Sequence, residues 1–268
     1  MIQKFLVWFI HFSPFTKKWF WKKWYTFFPR WAPNPEFKFM NFGFHEDGLH
    51  PELGEDDKLE RYPIHLYHHV ATQVNLAGKT VLEVGSGRGG GASYIARYLA
   101  PDQITGIDIS TTAVELCETL YQENNLNFIV GDSENIPSED ESMDVVINVE
   151  SSHCYGSVDK FLSEVKRVLK PRGHFLFCDL RPVEKLDLLN NQFNISGLDL
   201  LKKKDITGNV ILALEKMSDF RKNAIRAKVP RVIQNVFESY AGVKGSRVYE
   251  SFADGSLAYL SAVLQKPA

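Results

Sequence analysis

The chain has 268 residues, 44% hydrophobic and 24% charged, with a net charge of −2. That length holds one large α/β domain with an appendage, and the composition excludes collagen-like, low-complexity and disordered architectures. A charge near zero gives no reason to expect nucleic-acid binding, and three widely spaced cysteines without a CxxC pair fit a reducing, cytosolic compartment better than a disulfide framework or a zinc site.

Residues 1–45 read as an aromatic, basic N-terminal extension. Its first 35 residues carry Lys4, Lys17, Lys18, Lys22, Lys23 and Arg30 without one acid, and they hold all five tryptophans. The apolar run Phe5 to Phe12 is far short of the roughly 20 residues that span a bilayer. Lysines interleaved with Trp and Phe suit a membrane surface, where rings sit among headgroups, and they also suit a lid over a greasy substrate. Six acids follow between Glu46 and Asp57.

Residues 46–268 read as the catalytic domain. From Leu59 a helical period runs through Ile64, Leu66, Tyr67, Val70 and Val74. Thr80 to Val84 is short, β-branched and apolar, as a buried parallel strand should be. Glycines follow, then helical spacing from Ala92 to Leu99. Gln103–Ile107, Phe128–Val130, Met143–Asn148 and His174–Leu180 supply further strands. Ser110 is placed to cap a helix reaching about residue 124, Val158–Leu169 forms another helix, and Pro171-Arg-Gly173 reads as a turn. Residues 184–240 read as a mainly helical cap. Arg247–Phe252 and Leu257–Gln265 are expected to be two strands joined by an Asp-Gly hairpin, which would make the last strand antiparallel. The expected fold is α/β: a Rossmann-like, seven-stranded, mostly parallel sheet with an antiparallel last strand and a helical insert.

The chemistry centres on Glu83-Val-Gly85-Ser-Gly87-Arg-Gly89-Gly90-Gly91, between a strand and a helix. Glycines there allow a tight turn and close approach of a ligand, but the spacing also fits the dinucleotide fingerprint. Three acids discriminate. A carboxylate at Glu83 is poorly suited to a pyrophosphate and well suited to the amino group of a sulfonium amino acid. Asp108, ending the next strand, can accept both ribose hydroxyls. Asp132, after Gly131, can accept from an adenine amino group.

With these motifs, the stretch from Tyr67 to Leu180 resembles the class I S-adenosylmethionine-dependent methyltransferases. More narrowly, Leu66-Tyr-His-His-Val-Ala-Thr-Gln-Val74, Gly89-Gly-Gly-Ala-Ser-Tyr94, Asn148-Val-Glu-Ser-Ser-His-Cys-Tyr155 and Asp179-Leu-Arg-Pro182 resemble the enzymes that O-methylate phthiotriol and phenolphthiotriol lipids. The resemblance implies that Gly85, Ser86, Gly87 and Gly89 cradle the methionine part of S-adenosylmethionine, with Glu83 nearby. It further implies Asp108 at the ribose, Ile109 and Asp132 at the adenine, Ser133 and Glu134 flanking the base, and Asn148 and Val149 beside the sulfonium.

Past the fourth strand lies Glu150-Ser-Ser-His153-Cys-Tyr155, where ligands of open parallel sheets are met. Transfer to a hydroxyl requires loss of the acceptor's proton, and an imidazole is a suitable base. His153 is the expected base, with Glu150 orienting it or stabilising a cation in the substrate. Tyr67 and His68 are expected to close over the cofactor. No cluster of metal ligands stands out. The acceptor is expected to be a small, apolar, lipid-like or polyketide-like molecule; the oligomeric state is left open. Three alternatives remain: a C-methyltransferase of the sterol or isoprenoid type, an NAD-dependent oxidoreductase, and an inactive membrane-associated scaffold.

Overall fold

The computed structural model describes residues 38–231 and 234–268. The expectation of membrane contact or a lid for the N-terminal extension rests on tryptophans and lysines that lie outside the described residues.

Seven strands form one sheet: β1 (Thr80–Val84), β2 (Gln103–Asp108), β3 (Leu126–Val130), β4 (Met143–Val149), β5 (Leu169–Pro182), β6 (Asp199–Asp205) and β7 (Leu257–Gln265). Their order is β3-β2-β1-β4-β5-β7-β6. The first five run parallel, and β7 lies antiparallel between β5 and β6. After β1 the chain adds strands on one side; from β4 it adds them on the other. That reversal opens a crevice at the carboxyl ends of β1 and β4.

Burial of both sheet faces explains the unbroken apolar run of β1. Val81 joins Ile64, Val70, Ile95 and Leu214 in one core, whereas Leu82 and Val84 point oppositely and join Phe161, Val165 and Phe193 in the other. The covering helices are α1 (Arg61–Ala71), α2 (Gly90–Tyr98) and α3 (Thr111–Leu120), followed by α4 (Val158–Val168) and α5 (Leu186–Ile195). The Ser110 cap forms as expected, its side chain accepting from Ala113 N at 3.3 Å. In α4, Phe161, Leu162, Val165 and Val168 fall on one face and are buried, each contributing about 1.5–3 kcal/mol by leaving water.

Three expectations need correction. First, the mainly helical stretch 184–240 also contains an unforeseen edge strand, Asp199–Asp205, with all seven residues exposed. Around it stand α5 and the cap helices α6 (Thr207–Lys228) and α7 (Gln234–Tyr240). Second, Arg247–Ala253 is a helix, α8, capped by Ser246 and burying Tyr249 and Phe252. Asp254-Gly255 therefore ends a helix, and the partners of β7 are β5 and β6 rather than residues 247–252. Third, the packed chain starts before residue 45. Phe44 N donates to Tyr62 O and His45 N to Asn209 O, Arg221 donates to Asn41 O, and Phe42 N donates to Glu150. The Pro171–Gly173 turn survives only as an irregularity inside the longer β5, with Arg172 at φ 64°.

Candidate active site

At the end of β1, Gly85 N and Ser86 N both donate to Ile107 O of β2, folding the loop back over the strand ends. Gly85 has φ 80°, and a Cβ there would run into the Ser151 side chain and the Tyr155 hydroxyl, so both conformation and space require glycine. Gly89, also at positive φ, is the N-cap of α2 and lies against Cys117, Tyr121 and Phe128 rather than on the cleft. Asp108 ties the loop down: its Oδ2 accepts from Gly87 N and its Oδ1 from Ser110 N, both at 2.9 Å. Burial pushes its pKa up, against those two hydrogen bonds.

Beneath the loop, Glu83 is fully buried. Tyr67 donates its hydroxyl to Oε1 at 2.6 Å, and Oε2 has no partner. Burial raises the Glu83 pKa to about 8 in spite of bonds from Tyr67 and the Ala92 backbone. Ser86 Oγ is likewise buried and unpartnered. A carboxylate oxygen left bare in a dry site is costly, and an ammonium seated above it would remove that cost.

The crevice holds two cavities that share Met40, Gly85, Gly87 and Glu150. The larger, about 750 Å³, is lined by Ile107, Asp108, Ile109, Asp132, Ser133 and Glu134, together with Ser151, Cys154 and Tyr155. The smaller, about 340 Å³, is lined by Lys38, Phe39, Tyr67, Ser86, Arg88 and Val149. An extended ligand with a nucleoside at one end and an amino acid at the other matches this division. Asp132 Oδ1 accepts from Glu134 N, and Glu134 Oε1 accepts from Gly156 N and Ser157 N, so these acids also brace their loop.

Glu150 follows β4 in the left-handed region at φ 46°. Such a conformation costs a non-glycine residue on the order of 1–3 kcal/mol and persists where the surroundings over-determine it. Here Glu150 Oε1 accepts from Phe42 N at 2.7 Å and from Tyr259 Oη at 2.5 Å. Burial raises its pKa to about 7. Its Oε1 is thus held by the 38–45 segment and by β7.

Asp179, near the end of β5, holds the His153 ring. His153 Nδ1 lies 2.7 Å from Asp179 Oδ1, and His153 N donates to Oδ2 at 2.9 Å. Ser152 Oγ donates to the same Oδ2, and Arg181 stands 2.9 Å from it. Although burial opposes charge on both groups, Cys154 and Asp179 hold the His153 pKa well above 6.5, and His153 and Arg181 hold that of Asp179 well below the usual carboxylate range. Asp179 is inaccessible, whereas the His153 side chain keeps 27% of its surface. His153 is not among the residues lining either cavity; its neighbours Ser151 and Cys154 are.

Of the other expected residues, Asn148 is a buried brace. Its Nδ2 reaches Val84 O, Ser151 Oγ and the Tyr155 hydroxyl, and its Oδ1 has no partner. His68 turns away from the cleft and meets the Tyr94 hydroxyl at 2.7 Å. Sequence reasoning missed Asp179, although an acid at a strand end is the same signal that marked Asp108. It also missed Met40 and the segment around it, which no motif announces. Among the described residues no group of three or more metal-ligand side chains gathers, and no helix is long and apolar enough to cross a membrane.

Residues 82–177 match the family described as "Methyltransferase domain". The chain is 38% identical over 240 residues to the phthiotriol/phenolphthiotriol dimycocerosates methyltransferase of Mycobacterium leprae, covering 89% of each chain. It is 35% identical over 245 residues to the fatty-acid O-methyltransferase of Mycolicibacterium smegmatis, covering 91% of this chain and 89% of that one. Among solved structures, the [4+2]-cyclase SpnF superposes with a TM-score of 0.69 at 21% identity, over 92% of this chain and 94% of that one. The geranyl diphosphate C-methyltransferase of Streptomyces coelicolor does so with 0.62 at 17% identity, over 87% and 93%. These two likenesses concern the fold.

Proposed function

This chain belongs to the S-adenosylmethionine-dependent methyltransferases, and from that premise we propose that it methylates a hydroxyl of an apolar, lipid-like acceptor. S-adenosylmethionine is the methyl donor, which sets aside the oxidoreductase alternative. The observation that carries the hydroxyl reading is the His153–Asp179 pair beside the cleft. A hydroxyl must lose its proton as the new bond forms, so it needs a positioned base; a carboxylate acceptor does not.

The donor residues are assigned by their places along the cleft. Glu83, with its bare Oε2, takes the ammonium; Gly85, Ser86 and Gly87 cradle the methionine chain, and Gly89 sets the loop that does so. Asp108 takes the ribose hydroxyls; Ile109, Asp132, Ser133 and Glu134 enclose the base. Val149 and Glu150 wall the middle of the cleft, where the two cavities meet. Tyr67 and Asn148 position their neighbours: Tyr67 holds Glu83, and Asn148 holds Ser151 and Tyr155. When bound, the donor supplies an electrophilic methyl group on a sulfonium. His153 accepts the acceptor's proton, and Asp179 fixes the imidazole's direction.

The M. leprae and M. smegmatis relatives are named for lipid acceptors, which supports an apolar substrate here. The half-buried Glu150 on the cleft wall keeps a second reading open, in which a carboxylate stabilises a carbocation during C-methylation. Incubation with isotopically labelled donor and a panel of lipid alcohols, phenols, fatty acids and isoprenoids decides the matter. A labelled ether is expected; a labelled ester or a carbon-bound methyl overturns the hydroxyl assignment.

A further inference from the structure

The cap helices present an apolar face that nothing among the described residues covers. On α6, Leu212 is 46% exposed and Phe220 57%; on the adjoining α7, Val236 is 53% exposed. At 3.6 residues per turn, positions 212, 216, 220, 223 and 227 share one side of α6. Lys216 and Arg226 are exposed on or beside that side, and Arg231 is exposed just beyond the helix. The sequence from 207 to 241 carries six Lys or Arg against three acids, and of the six Arg221 turns inward to Asn41 O and Ala241 O. Two of those acids are partly answered within the fold, Glu215 by Lys244 at 2.7 Å and Glu238 by Arg226 at 3.7 Å.

This face adjoins the cleft. Arg221 of α6 donates to Asn41 O at 2.9 Å, and the neighbouring Met40 lines both cavities. We propose that the exposed side of α6 and α7 docks on an anionic lipid bilayer, bringing the cleft to the surface in which an apolar acceptor is dissolved. Bulky apolar side chains interleaved with cations fit an interface of acyl chains and anionic headgroups. A second copy of the same face would set like charges against each other. The 37 residues before Lys38 hold all five tryptophans and six Lys or Arg against one acid. Two weak membrane signals on one molecule reinforce each other. Docking does not depend on which atom of the acceptor is methylated.

A second set of exposed apolar residues, Leu188 and Ile195 on α5 with Leu200 and Leu201 on β6, lies at the far edge of the sheet, beyond β5 and β7. It provides the control. The experiment is co-sedimentation of the full chain with phosphatidylcholine vesicles, with and without phosphatidylglycerol, alongside S-adenosylhomocysteine binding as the check on folding. Binding is expected to phosphatidylglycerol vesicles and to weaken with salt. Leu212→Glu with Phe220→Glu should lower the partition at least tenfold and leave S-adenosylhomocysteine affinity unchanged. Leu200→Glu with Leu201→Glu, the same change in charge, should have no effect. The proposal is overturned if the wild-type chain stays in solution, if the cap variant binds vesicles as well as wild type, or if the edge variant is the one that fails. It is also overturned if the cap variant converts a dimer to a monomer, because the face then joins two copies.

Discussion

Asp179 holds His153 by two contacts, Oδ1 to the imidazole Nδ1 at 2.7 Å and Oδ2 to the backbone N at 2.9 Å. The double hold fixes both the ring and the short turn that carries it. With Cys154, the carboxylate also raises the imidazole's pKa against the effect of burial. A base must be neutral to accept a proton, so turnover should rise with pH along a limb lying above 6.5. In Asp179→Asn that attraction is gone while burial and Cys154 still act, so the limb should move toward lower pH. Turnover on its plateau should still fall by about 10²-fold, because the ring is no longer aimed. Breaking a buried pair also costs about 3–5 kcal/mol of stability, so the pH profile of kcat is to be recorded well below the melting temperature. An unshifted limb would make Asp179 a structural residue only.

Glu83 predicts a proton released on donor binding. Burial raises its pKa to about 8, and an ammonium on Oε2 would bring it down. Since the folded value lies above the unfolded one, this group favours folding at low pH and ceases to do so as pH rises through 8. Donor binding removes that penalty, so the thermal shift given by S-adenosylmethionine should grow between about pH 5 and pH 8. Calorimetry at neutral pH in buffers of different ionisation heat should show a proton leaving the protein. In Glu83→Gln the proton release should vanish and affinity should drop. Proton release that persists in that variant would point to Glu150 or Asp108 instead.

Asp108 serves the loop and the ligand together. Asp108→Ala removes the acceptor for Gly87 N and Ser110 N as well as the proposed ribose contacts. Each lost charge-assisted bond costs about 1.5–3 kcal/mol, so donor affinity should fall at least tenfold by titration calorimetry. Asp108→Asn keeps one acceptor oxygen and should lie between alanine and wild type. Equal affinity in all three proteins would remove Asp108 from the donor site.

The legible parts of this molecule are those in which local pattern and tertiary role coincide. The run Thr80–Val84, the glycines after it and the acids Asp108 and Asp132 announce themselves because a doubly wound sheet puts every strand end on one rim. The edge strand Asp199–Asp205 stayed hidden: its three lysines and two leucines do not alternate, and only hydrogen bonds to β7 make it a strand. Arg247–Ala253 misled in the opposite sense. Val248, Tyr249 and Phe252 suggest β-propensity, but burial of Tyr249 and Phe252, three positions apart, decides for a helix. The orientation of His153 depends on a residue 26 positions away, whereas Glu150, only three positions away, has its carboxylate drawn off by Phe42 N and Tyr259.

Gly91 offers a test of the link between α1 and the donor loop. It lies in the first turn of α2 with no positive φ, and alanine in a helix gains up to about 1 kcal/mol over glycine by propensity. An added Cβ, however, would fall on the ring of Tyr67, the residue that holds Glu83. The ring is 7% exposed and packs on Phe39, so it has little room to move away. Overpacking of this kind costs about 1–3 kcal/mol, so Gly91→Ala should lower the melting temperature and weaken donor binding together. Tyr67→Phe alone should weaken binding less, by freeing Glu83 without moving the ring. Adding Tyr67→Leu to Gly91→Ala should recover stability but not affinity, because space returns while the hydroxyl does not. A stabilised Gly91→Ala protein with normal donor affinity would show that Tyr67 yields, and that its bond to Glu83 does not support the site.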